Sequence, residues 1–151
     1  MKVSSKGVEF IKRHEGLRTT AYQDVAGFWT IGYGHLIKLP YEEWLMEQPI
    51  GEELATNILK EDLAIAERCV NLHVHIELDQ EQFDALVSFT FNLGCGALER
   101  STLRALLNMG QRERAAEQFQ RWNKAGGKVW AGLTKRRLEE KRLFTEGLYE
   151  T

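Results

Sequence analysis

From Gly51 to Val70 the chain runs without a Pro, as GEELATNILKEDLAIAERCV, and Ile50, Leu54, Ile58, Ile65 and Cys69 recur at near-helical spacing. About 20 residues of helix extend about 30 Å. In a chain of 151 residues a helix that long joins two lobes rather than disappearing into one. The spacing therefore predicts a helix over 51–70 between a small lobe of roughly residues 14–50 and a larger one made of 1–13 and 70–151.

The two predicted lobes differ in pattern. Residues 5–14 read as a short helix, capped by Ser4 or Ser5, with Val8 and Ile11 on one stripe and Gly16 as its end. From Ala21 to His35 the period becomes that of strands: AYQD and FWTIGYG flank the turn VAG and predict a hairpin. Beyond the long helix, LDQEQFDALVSFTFNLG opens with Asp79 as N-cap and Gln82 three residues on, a capping-box pattern. Its Phe83, Leu86, Val87, Thr90 and Phe91 are expected at the centre of the larger lobe. Ser101 caps TLRALLNM, Gly110 stops it, and QRERAAEQFQRW is a further helix. NKAGGKVWAG reads as a glycine-rich loop, and LTKRRLEEKRLFTEGLY as a last amphipathic helix. The expected class is α+β, in one domain over 1–151, with a cleft between the lobes as the natural binding place.

Composition excludes several classes. With 43% apolar and 28% charged residues the chain is globular, not disordered. No stretch approaches the ~20 apolar residues of a membrane span. MKVSSKGVEFIKRHEG has charges but no apolar core of a signal peptide, so a cytosolic start and no stable membrane association are expected. On that expectation Cys69 and Cys95 read as free, structural thiols. The net charge of −2 is uneven: residues 1–40 carry +3, 41–99 carry −11 and 100–151 carry +6. The acidic middle argues against general nucleic-acid binding. The basic ends suit an anionic polymer, or are charged helix faces in water.

The predicted hairpin gathers Glu15 just before it, Asp24 at the end of its first strand and Thr30 on its second. Cleaving a glycosidic bond takes one carboxyl to protonate the leaving oxygen and a second group on the opposite face to attack or to activate water. Glu15 fits the first role. Asp24 fits the second, with the Thr30 hydroxyl accepting from and donating to a water held by Asp24. Such a set implies direct water attack and inversion, with carboxylates about 6.5–9.5 Å apart. Spacing alone leaves ordinary surface residues as the alternative. Elsewhere, CVNLHVHIE at 69–77 is the most metal-like stretch: as a strand it would put His73, His75 and Glu77 on one face. It is equally an amphipathic connector with its histidines in water. Phe83, Phe89, Phe91 and Trp122 read as core, and Trp29 and Tyr33 as half-buried strand residues.

Glu15, Asp24 and Thr30, with eight and five residues between them, resemble the catalytic segment of phage-type lysozymes, the endolysins, a glycoside hydrolase family. The resemblance continues through TIGYGH at 30–35, KEDL at 60–63 and FDALVSFTFNLGCGAL at 83–98. It extends to STLRALLN at 101–108, RWNKAGGK at 121–128 and GLTKRRLEEKRLF at 132–144, nearly the whole chain in order.

The resemblance implies a lysozyme-like fold and a muramidase that hydrolyses the β-1,4 bond between N-acetylmuramic acid and N-acetylglucosamine in peptidoglycan. Glu15 would be the general acid, and Asp24 with Thr30 would hold the water. Leu36, Phe91 and Thr102 fall where relatives line the sugar cleft. His35 would pair with Asp62, tying hairpin to helix, and Arg137 would lie against the catalytic glutamate. No metal or cofactor is implied. The implied setting is phage lysis by a monomer, waiting in the host cytoplasm for a holin to open its way to the wall. A lytic transglycosylase needs the acid but not a water-holding pair. A wall-binding module would need none of the three.

Overall fold

In the computed structural model, which describes residues 1–150, the Ser4 Oγ accepts from the Gly7 N–H at 3.0 Å and opens the first helix. This helix, α1, runs Ser5–Glu15. Gly16 ends it: its N–H reaches the Lys12 carbonyl, and its φ of 73° is a left-handed conformation that a side chain resists. Three strands follow, β1 (Arg18–Gln23), β2 (Trp29–Gly32) and β3 (His35–Leu36). They form an antiparallel sheet in that order, pairing Tyr22 with Thr30 and Thr30 with Leu36. The predicted hairpin is β1–β2. The two-residue β3 is too short to leave a periodic signal.

The long helix, α2, spans Glu52–His73. By internal packing the residues form two compact units, Ile11–Leu63 and Met1–Phe10 with Ala64 onward, and α2 contributes to both. In the Ile11–Leu63 unit, Ile11, Ile31, Leu45, Ala55, Leu59 and Leu63 make the core. Leu45 enters it from a helical turn at Glu43–Met46 inside a stretch with no helical period.

The other unit is built on α3 (Gln80–Leu93), which starts with the predicted capping box on Asp79 and Gln82. Residues 83–90 are all buried, so α3 is packed on every side. The remaining helices are α4 (Cys95–Arg100), α5 (Thr102–Asn108), α6 (Arg112–Gln118) and α7 (Ala131–Glu146). α7 packs against α3, and Phe89 meets the rings of Phe119 and Trp122 edge-on at 5.6 and 5.7 Å.

Four expectations change here. The glycine-rich loop contains a small hairpin, β4 (Lys124–Ala125) with β5 (Lys128–Val129), around Gly126 and Gly127. Cys69 and Cys95 are not free thiols: they form a disulfide with Cα atoms 5.8 Å apart. Cys95 is the first residue of α4, which sets it beside the last turns of α2. A bridge across 26 residues stabilises the fold by about 3–4 kcal/mol through loop entropy. CVNLHVHIE forms no strand. His73 is still in α2, so His73, His75 and Glu77 share no strand face. Last, the final helix does not turn its charges to water as an amphipathic helix would: Arg136, Arg137, Glu139 and Glu140 are buried while Leu138 is 36% exposed. Among the described residues no helix is long and apolar enough to cross a membrane.

Candidate active site

The Ile11–Leu63 unit contains all three candidate catalytic residues. Glu15, half-buried, is the last residue of α1. The turn between β2 and β3 comes against it. A Cβ built on Gly34 would stand 3.0 Å from Glu15 Oε1, and the Gly34 φ is 78°. A side chain at 34 would thus press on the carboxyl and strain its own backbone, so glycine there is what lets the GYG turn close over Glu15. Sequence reading quoted this glycine within TIGYGH without assigning it a task.

Asp24 begins the turn between β1 and β2. Its Oδ1 accepts the Ala26 and Phe28 N–H groups, both at 2.9 Å. This is an Asx-type turn, in which the carboxylate holds its own loop in shape. The backbone of Phe28 also holds the third residue, because the Thr30 Oγ1 donates to the Phe28 carbonyl at 3.0 Å. Asp24 and Thr30 are therefore both positioned by the backbone of one residue, Phe28. Thr30 is 3% exposed. Its cross-strand neighbour Leu36 is 54% exposed, an apolar side chain left in water beside the hydroxyl.

The other candidates have separate surroundings. Phe91, half-buried near the end of α3, and Thr102, exposed at the start of α5, belong to the second unit. Arg137 is fully buried there, with Nε 2.6 Å from Glu140 Oε1 and Nη2 donating to Oε2 at 3.0 Å. Tyr33 is buried and its hydroxyl donates to Glu52, whereas Trp29 is 37% exposed.

His35 is 5% exposed, with a carboxylate at each ring nitrogen: Asp62 Oδ2 lies 2.8 Å from Nδ1 and Glu42 Oε1 lies 2.9 Å from Nε2. Asp62 sits on α2, so the contact ties β3 to that helix within the unit. Glu42 is the partner that sequence reading missed. It also accepts the Lys38 N–H at 2.8 Å, bracing the irregular segment after β3. Asp62 raises the His35 pKa most strongly, burial opposes it, and Glu42 adds to the rise. Burial pushes Glu42 up, but the Lys38 N–H and the His35 ring outweigh it and hold its pKa down. A raised histidine pKa contributes stability that is complete below the unfolded value near about 6.5 and is lost as pH rises through the folded value. Asp62→Asn is expected to lower the His35 midpoint in an NMR titration. It should cost more thermal stability at about pH 6 than at about pH 9. An unchanged midpoint would dismiss the pair.

This geometry belongs to a chain that matches the Phage lysozyme family over residues 12–140. The chain belongs to that family. It is 44% identical over 149 residues to the endolysin of Bacillus phage B103, covering 97% of this chain and 55% of that protein. It is 40% identical over 144 residues to the endolysin of Salmonella phage P22, covering 95% and 98%. The chain thus spans about half the length of the Bacillus phage relative and nearly all of the P22 one. Among solved structures, an endolysin from the Escherichia coli O157:H7 phage FAHEc1 superposes with a TM-score of 0.90 at 36% identity, covering 100% and 98%. The fold is accordingly the lysozyme-like α+β fold of phage lysozymes, a family of glycoside hydrolases.

Proposed function

We propose that this phage lysozyme family member is a muramidase. It hydrolyses the β-1,4 bond between N-acetylmuramic acid and N-acetylglucosamine of peptidoglycan by direct, inverting attack of water. The observation that carries the mechanism is the hydrogen bonding of Asp24 and Thr30. Oδ1 is committed to two backbone N–H groups, so the carboxylate has a fixed orientation and Oδ2 remains to accept from a water. Thr30 spends its hydroxyl proton on the Phe28 carbonyl, which leaves Oγ1 as an acceptor. A water donating one proton to each has its oxygen lone pair pointing away from both, toward an anomeric carbon. Asp24 then takes a proton as the bond forms. Glu15, at the end of α1, donates a proton to the departing oxygen and leaves a reducing end of inverted configuration. Leu36 supplies an apolar face to the sugar next to Thr30 in this reading.

The relatives' name, endolysin, supports a role in lysis of a phage-infected host. The proposal includes a monomeric enzyme that reaches the wall from the cytoplasm through a holin lesion. No metal or cofactor enters the chemistry. The test is the product. Digested peptidoglycan should give muropeptides with reducing ends in mass spectrometry, and early NMR spectra of a soluble glycan should show the inverted anomer. Anhydro ends would make it a transglycosylase, and the retained anomer would remove the direct-water step.

A further inference from the structure

The disulfide lies in a cluster that the proposed hydrolysis does not use. Cys69 and His73 are one turn apart on α2, and Cys95 and Glu99 are one turn apart on α4. The donor atoms of Cys69, His73 and Cys95 lie within 4.8 Å of one another. The His73 Nε2 is 3.9 Å from Glu99 Oε2. Two helices thus present two i,i+4 pairs to each other, with donors S and N from one and S and O from the other.

We propose that in the reduced protein these four residues form a tetrahedral zinc site, with Cys69, Cys95 and His73 as ligands and the Glu99 carboxylate in the fourth position. Zinc binds thiolate at about 2.3 Å and imidazole at about 2.0–2.1 Å, which spaces its ligands roughly 3.5–3.8 Å apart. Opening the S–S bond lets the sulfurs move out to that spacing, and the His73 ring closes in by about 1 Å. The backbone under His73 is already fixed, because its carbonyl accepts from Arg104 Nε at 3.0 Å and Asn108 Nδ2 at 2.8 Å. Only side-chain torsions must change. Two thiolates and one carboxylate around Zn²⁺ with neutral imidazole sum to one negative charge, and Arg104 stands beside it. Thiolate and imidazole donors suit zinc rather than calcium or magnesium.

The chemistry balances with a thiol reductant. Two molecules of a monothiol such as glutathione, or one dithiol, reduce the disulfide to two thiols and become a disulfide themselves. Zinc then displaces the two thiol protons into solvent. Bridge and metal are mutually exclusive, since both use the same sulfurs. The ends of α2 and α4 are tied together by the disulfide under oxidising conditions and by zinc under reducing ones.

The full chain is reduced with dithiothreitol, desalted without oxygen and titrated with Co²⁺. The reduced chain is expected to take about one equivalent, with thiolate charge-transfer and tetrahedral d–d absorption that Zn²⁺ removes. The oxidised chain should show neither. Zn²⁺ should raise the melting temperature of the reduced chain only, and His73→Ala should weaken zinc binding by at least about tenfold. A reduced wild type that gives only the spectrum of hydrated Co²⁺ overturns the site without any variant. Equal cobalt absorption in the oxidised chain, or undiminished affinity in a folded His73→Ala protein, does the same.

Discussion

Glu15→Gln is expected to lower the turnover of peptidoglycan by about 10³-fold, with little change in KM. Gln keeps the shape of Glu at the end of α1 and fits the same space against Gly34. What it lacks is an acidic proton to transfer. A group that acts only as bond breaking proceeds affects turnover rather than substrate binding, so the loss belongs in kcat. Asp24→Asn separates the mechanisms. The amide can still accept the Ala26 and Phe28 N–H groups through its oxygen, so the turn keeps its shape. It cannot take the proton of an attacking water. Direct hydrolysis therefore predicts a loss of about 10²-fold or more for Asp24→Asn. A transglycosylase, which attacks with the sugar's own hydroxyl, would be nearly indifferent to it. Retained turnover in Glu15→Gln would remove Glu15 from the acid's role.

Whether the sequence displayed a feature depended on how far apart its parts lie along the chain. Asp79 with Gln82, and Ser101 with the Arg104 N–H, are caps closed within three residues, and both were readable as written. The turn at VAG is equally local, because the Asp24 carboxylate and its donors, the Ala26 and Phe28 N–H groups, are near neighbours along the chain. Gly34 is different. Its conformation matters because a carboxyl from nineteen positions earlier comes against it, and no local pattern carries that. Glu42 reaches His35 from a segment without periodicity, so it had no face to be assigned to. The disulfide needed α4, a six-residue helix with glycines at its start, to be seen first. The reading of α7 failed for a fourth reason. Hydropathy assigns charges to water and Leu to the core, whereas here Leu138 is the more exposed and its charged neighbours are inside.

That inversion makes Glu140 a residue with a large expected effect on stability. It is fully buried. Its Oε2 accepts from Ser88 Oγ at 2.6 Å, Arg137 Nη2 at 3.0 Å and Arg136 Nε at 3.3 Å, while Oε1 lies 2.6 Å from Arg137 Nε. One carboxylate thus serves two buried guanidinium groups and a hydroxyl from α3, and it fastens α7 to α3 from within. Removing it takes a shared counter-charge from two guanidinium groups in a dry interior, and breaking a buried ion pair from one side is costly. Glu140→Ala is expected to cost about 3–5 kcal/mol in denaturant unfolding, lowering Tm by about 10 °C or more. Lys135→Ala, exposed on the same helix, should stay within about 0.5 kcal/mol of the wild type. A cost for Glu140→Ala below about 1 kcal/mol would mean that water reaches the arginines easily. Replacing the whole group, with Arg136→Met, Arg137→Met and Glu140→Leu together, should restore most of the lost stability, because apolar side chains of similar volume carry no charge to desolvate. Recovery in that triple variant, set against collapse in the single one, would show that the network fixes how α7 seats on α3 more than how strongly it holds.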